Sequence, residues 1–200
     1  MSNTVKEFEA RVMLTEEEYL NIVSSLLKMF PNAHFLQNSN LYYDSDDLYL
    51  RKNHINLRVR VINDVASEIT VKIKGLNGDD EINDKLTKKE LNLLVNDGIF
   101  PEGNVKNYLL GLSYPLSNYH YITTLNTRRL EIKFEDHLLV VDKNTYSGII
   151  DYNLEVEAND DIVTANKKLK DYINKYNLSL KNQKYLGKAR RAVNAALNID

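Results

Sequence analysis

The chain has 200 residues, with 26 Lys plus Arg against 28 Asp plus Glu, and it carries no cysteine. A net charge of −2 supplies no global field for nucleic acid or an anionic membrane, and the missing thiols exclude disulfides and thiolate metal sites. No apolar run approaches the roughly 20 residues that a spanning helix needs, and the polar start Met1 to Glu9 lacks a signal peptide's apolar segment, so a single cytoplasmic domain over residues 1–200 is expected.

Residues 5–13 read as a strand, and Thr15 with Glu18 forms a capping box that opens a helix backed by Tyr19, Ile22, Val23, Leu26 and Leu27. Pro31 and Asn32 break that helix. A strand over 34–44 ends in Leu41-Tyr42-Tyr43-Asp44, and a short piece covers Leu48–Arg51. Residues 55–63 and 67–74 read as a hairpin joined at Asn63-Asp64. Gly75–Asp80 reads as a polar loop that fits no P-loop spacing. Thr87 and Glu90 form a second capping box ahead of Leu91, Leu94 and Val95, and a short helix is predicted over 104–111. Strands follow near 118–126, 128–135, 137–143 and 150–158, then helices over 161–176 and 187–197. This order predicts an α+β fold with mostly antiparallel strands.

Four of the strands sort their charges by sign. Glu7 and Glu9 alternate with Phe8 and Ala10, Arg58 and Arg60 with Leu57, Val59 and Val61, Lys72 and Lys74 with Val71 and Ile73, and Glu155 and Glu157 with Leu154, Val156 and Ala158. A period of two gives each strand one apolar and one charged face. A charged face in water is the default for one strand taken alone. Purely acidic and purely basic faces repel internally unless opposite charge sits among them. Acids facing bases meet that need, and so does a polyanion with divalent metals, since carboxylates suit Mg²⁺ or Mn²⁺ and Lys and Arg suit phosphate oxygens. If such strands close into a barrel, the charged faces line a polar tunnel and the apolar faces pack under helices.

Glu-x-Glu-x-base at Glu7–Arg11, Leu57-Arg58-x-Arg60, Thr70-x-Lys72 and Glu155-x-Glu157, in that order, resemble the CYTH superfamily, the triphosphate tunnel metalloenzymes. Tyr42-Tyr43-Asp44, Thr127-x-Arg129, Asp142 and Gly187-Lys188-Ala189-Arg190-Arg191 extend the likeness over nearly the whole chain. The resemblance implies a closed eight-stranded antiparallel β-barrel with flanking helices. It implies metal-dependent hydrolysis of inorganic triphosphate or a nucleoside triphosphate, with Mg²⁺ or Mn²⁺ held by Glu7, Glu9, Asp142, Glu155 and Glu157. Arg11, Arg58, Arg60, Lys72, Arg129, Lys188 and Arg191 would grip the triphosphate, and a Lys72–Tyr42 pair would assist the leaving group. Tyr42 also reads as a core aromatic.

Departures from the family pattern narrow the activity. Arg11 stands where the family has Lys, and Gly187 where it has Ser. The chain has no Trp for a thiazolium ring and no His-Phe ahead of the first motif, which disfavours thiamine triphosphatase and class IV adenylyl cyclase beside simple triphosphate hydrolysis. A cyclase, and a non-catalytic polyphosphate or nucleotide sensor, stand as alternatives. Arg128 competes with Arg129 and Lys184 with Lys188 for the tunnel, and Lys74 reads as a strand-end lysine in solvent or a further phosphate ligand. The four histidines are isolated, and the basic tail Lys181–Arg191 has too few interleaved aromatics for nucleic acid. The expected partner is a small-molecule triphosphate.

Overall fold

In the computed structural model, which describes residues 4–76, 78–180 and 186–199, the strands are β1 (Thr4–Leu14), β2 (Phe35–Asp44), β3 (Ile55–Ile62), β4 (Ala66–Ile73), β5 (Asp79–Leu86), β6 (His120–Lys133), β7 (His137–Tyr146) and β8 (Ile149–Ala158). The helices are α1 (Glu16–Met29), α2 (Tyr49–Lys52), α3 (Lys88–Asp97), α4 (Asn104–Gly111), α5 (Ile162–Tyr176) and α6 (Lys188–Leu197). Every strand pair is antiparallel, and the sheet closes in the order β1-β5-β4-β3-β2-β6-β7-β8. Closure leaves no edge strand with unpaired backbone groups.

The predicted helix starts hold. Thr15 accepts from Glu18 N at 3.2 Å while its own N–H donates to Glu18, and Thr87 and Glu90 repeat the arrangement ahead of α3. Two strand assignments need correction. The predicted strands 118–126 and 128–135 are one continuous strand, β6. The predicted loop Gly75–Asp80 runs at Asp79 into β5, a strand the alternation does not reveal. The outward face of β5 holds Ile82 and Leu86, but Asp84 interrupts it, because its carboxylate accepts from Val105 N at 2.7 Å and from Asn104 at 3.0 Å to anchor the start of α4.

The apolar strand faces point outward and lie under helices. One core packs Ala10, Leu130, Leu139, Val141, Leu154 and Val156 against Ile22 and Leu26 of α1 and Ala165 and Leu169 of α5. A second packs Leu57, Val59, Ile69, Val71 and Ile82 against Leu50, Leu94, Val105 and Leu109. The third lies inside the barrel: Ala192 and Val193 of α6 meet Tyr42, Leu125 and Tyr146, so α6 plugs the end where β7 finishes. No helix among the described residues is long and apolar enough to cross a membrane.

The turn into β5 presses on β1. Gly78 has φ +104°, and a Cβ there would stand 2.8 Å from the Glu7 carbonyl oxygen and 2.9 Å from the Phe8 ring. Gly78→Ala therefore meets both a disfavoured backbone region and a backbone clash, and is expected to destabilise the protein by about 1–3 kcal/mol in chemical denaturation.

Candidate active site

Alternation sends inward what the outer cores do not use. The register that buries Ala10, Leu57, Val71 and Leu154 outside turns Glu9, Arg58, Lys72 and Glu155 into a cavity of about 690 Å³. Glu7, Arg11, Arg60, Arg129, Glu157 and Lys188 share that cavity. The expected triphosphate-binding bases and metal-binding acids, apart from Arg191 and Asp142, thus line one space.

Each base has acidic partners. Lys72 Nζ lies 2.5 Å from Glu7, 3.3 Å from Glu81, 3.6 Å from Asp79 and 3.7 Å from Glu9. Burial alone would lower the pKa of Lys72, but Glu9, Glu7 and Glu81 together outweigh it and hold the ammonium charged. Arg58 lies 3.5 Å from Glu81, and Arg60 donates to Asn40 at 3.1 Å and pairs with Glu68 at 3.4 Å. Burial, followed by the charges of Arg58 and Arg129, pulls Arg60 down to about 10. Lys188 Nζ sits 2.6 Å from Asp142 and 2.7 Å from Glu155. Arg11 pairs with Glu9 at 2.5 Å.

The acids are crowded on one side. Across the β1–β8 ladder Glu9 stands directly opposite Glu157, and Arg11 opposite Glu155. Like charges directly opposed are destabilising. Burial, then the Glu155 charge, pushes Glu9 up to about 8, and burial also raises Glu157. Glu155 goes the other way: burial would raise it, but Lys188, Arg11 and Arg129 hold it well below the carboxylate range. Its Oε1 lies 4.0 Å from Arg11 Nη1, and the Glu9 carboxyl interacts with Glu155 from the neighbouring strand. Carboxylates opposed across a strand ladder and crowded into one space are the donor chemistry that a hard divalent cation satisfies. Among the described residues no three acids converge on a single point, since Lys72 draws Glu7 towards itself and Lys188 draws Glu155.

Several of the expected site residues have further partners. Asp142 is fully buried, and its oxygens accept both Nε and Nη2 of Arg129 at 2.9 Å, Lys188 at 2.6 Å and Asn153 at 3.4 Å, so it orients these two bases. Arg191 lies outside the cavity lining. One turn after Lys188, it clamps Asp151 through Nε at 2.7 Å and Nη2 at 2.9 Å, so its guanidinium fastens α6 to β8. Tyr42 lines the cavity but packs under α6; no hydrogen bond joins it to Lys72 among the described residues. Arg129 faces inward at 9% exposure, whereas Arg128 stacks outward on the Phe35 ring at 3.7 Å. Lys74 stands at the cavity rim, and Lys184 lies outside the described residues. Glu81 and Asp79, partners of Lys72, escape sequence reasoning because β5 does; Glu81 and Asn83 facing inward and Ile82 and Leu86 facing outward keep only a partial alternation.

The CYTH domain family model matches residues 5–185. The chain belongs to the CYTH family. It is 33% identical over 154 residues to the Bacillus subtilis protein YjbK, whose name proposes a triphosphatase, covering 77% of this chain and 78% of YjbK. This CYTH chain is also similar to a crystal structure from Bacillus halodurans described as a proposed adenylate cyclase. The TM-score is 0.84 with 29% identity, over 94% of this chain and 97% of that one. The Hippeastrum protein HpAC1, described as a proposed adenylyl cyclase with a dominant triphosphatase activity, shares the CYTH fold at TM-score 0.73 and 13% identity, over 90% of this chain and 92% of that one.

The raised Glu9 pKa has a stability consequence. Its folded pKa of about 8 lies above the ordinary 4.5, so the folded state binds the proton more tightly, and the stabilisation present at low pH is lost as pH rises through about 8. Glu9→Gln removes that loss. In chelator, Glu9→Gln is expected to melt above the parent at about pH 8, with the difference shrinking towards about pH 5, as read by thermal denaturation.

Proposed function

We propose that this chain hydrolyses a linear triphosphate, either tripolyphosphate or a nucleoside triphosphate, with Mg²⁺ or Mn²⁺ as cofactor. The observation that carries this reading is the pairing of half-buried, directly opposed Glu9 and Glu157 with a wall of fixed cations inside a closed barrel. The proposed triphosphatase role of YjbK and the activity described for HpAC1 support it.

Arg58, Arg60, Lys72, Arg129 and Lys188 would bind the phosphate oxygens, the guanidiniums in bidentate fashion. Their carboxylate and amide partners hold them in position before substrate arrives, so little reorganisation accompanies charge development in the transition state. Glu9, Glu155 and Glu157, with Glu7 beside them, would hold the divalent cation, which supplies charge neutralisation and a more acidic water. Water attacks the terminal phosphorus in line, the bridging oxygen departs with the remaining chain, and orthophosphate leaves. Lys72 stays protonated throughout, since its three strongest carboxylate neighbours hold its pKa high, and its role is electrostatic.

The test is orthophosphate release from tripolyphosphate and from ATP. Release should vanish in chelator, and Glu9→Gln should lower kcat at least ~100-fold. Arg58→Ala should act chiefly on KM, by roughly tenfold or more, through loss of a charge-assisted contact. Cyclic AMP formed from ATP would replace the hydrolase with a cyclase, and tight binding without turnover would replace it with a sensor.

A further inference from the structure

The cavity does not end at the tunnel bases. On the β3–β4 side of the plugged end it continues past Lys72 to Arg51 and Lys52 of α2, Lys74, and Gly187 and Arg190 at the start of α6. Two features there have no hydrogen-bonded side-chain partner. Arg51 Nη1 is buried and makes no hydrogen bond. The nearby Asp44 does not meet that need with a hydrogen bond, because its carboxylate accepts the backbone N–H groups of Ser45, Leu50 and Arg51 at 2.8, 2.9 and 3.0 Å. The first turn of α6 has Gly187 at its N-cap and no side-chain cap, so the positive end of the helix dipole faces the same space. Arg51 also feels the positive charge of Arg190, which adds to burial in lowering its pKa. Two guanidiniums that repel across a cavity, beside an uncapped helix start, form a site shaped for an anion.

We propose that Arg51, Arg190 and the α6 N-terminus form a second anion station, rimmed by Lys52 and Lys74, that takes the fourth phosphate of a linear inorganic polyphosphate whose first three phosphates occupy the tunnel. The proposal rests on the triphosphate reading above and deepens it. The leaving side of the chain then carries negative charge into a basic vestibule, where the ribose of a nucleoside triphosphate would bring none. Hydrolysis of tetrapolyphosphate consumes one water, whose oxygen bonds to the terminal phosphorus as the bridging P–O bond breaks. Orthophosphate and tripolyphosphate are the products, and the water's proton is released to solvent.

The experiment compares tetrapolyphosphate with tripolyphosphate in the presence of Mg²⁺. The parent protein should favour the longer chain in kcat/KM by roughly tenfold, the worth of one charge-assisted contact. Arg51→Ala and Arg190→Ala should each reduce that ratio several-fold, and Arg190→Lys should restore part of it. Arg60→Ala, which touches the tunnel alone, should depress both substrates together and leave the ratio in place. Thermal unfolding of each variant separates folding failure from loss of the station. Binding of both chains is followed in parallel by calorimetry, so the station is read even without turnover. If neither chain is hydrolysed but Arg190→Ala still abolishes the affinity difference, the hydrolase reading falls and the station stands. A ratio and an affinity difference untouched by both Arg51→Ala and Arg190→Ala would overturn the station.

Discussion

Charge brought into a closed barrel has to be met by charge. Moving a carboxylate or ammonium out of water costs several kcal/mol even after relaxation, and that cost is offset only by well-placed partners. The interior of this barrel meets the condition strand by strand. The basic faces of β3 and β4 look at the acids of β5 and β1, and Arg129 and Lys188 converge on Asp142 and Glu155. The compensation is incomplete along the β1–β8 seam, where Glu9 faces Glu157 and where the Glu155 charge adds to burial in raising the Glu9 pKa. That residue of uncompensated charge marks the place where the protein by itself is not at its electrostatic optimum, a state characteristic of functional sites.

The outer layers serve this interior. The hydrophobic faces of the same strands are covered by α1 and α5 on one side and by α2, α3 and α4 on the other, which fixes the register and hence the inward set. Helix α6 closes one end and delivers Lys188. Its hold is specific: Arg191 grips Asp151, which also accepts from Tyr146 at 2.6 Å and from Asn144 at 2.9 Å. Asn144 continues to Asn153 at 2.8 Å, and Asn153 to Asp142 at 3.4 Å. A hydrogen-bonded chain therefore runs from the plug helix to the acid that orients Arg129 and Lys188, and docking of the helix is tied to the geometry of the bases.

The strands with sorted charge were legible because one inward and one outward requirement coincide with a period of two. β1, β3, β4 and β8 obey it, and their Glu, Arg and Lys residues arrive where alternation sends them. β5 was not legible, because Asp84 spends an outward position on capping α4. Alternation therefore breaks on that strand, and with it went Glu81 and Asp79, partners of Lys72. Arg191 and Asp142 were legible as important, but their partners were not. A motif gives spacing, but which way a helical side chain turns, and whether a buried carboxylate spends its oxygens on arginine or leaves them open, depends on neighbours from distant strands. The cavity beyond the tunnel, at Arg51 and Arg190, joins segments too far apart in the chain for any local pattern to pair them.

The central claim is that the tunnel is built for a polyanion and a divalent cation together, each supplying the counter-charge the other's side lacks. The direct measurement is calorimetric binding of a non-hydrolysable triphosphate analogue with and without Mn²⁺. The account predicts that Mn²⁺ tightens the analogue by roughly tenfold or more, and that the analogue tightens Mn²⁺ by the same factor, as linkage requires. An analogue affinity that is unchanged by Mn²⁺ would contradict it.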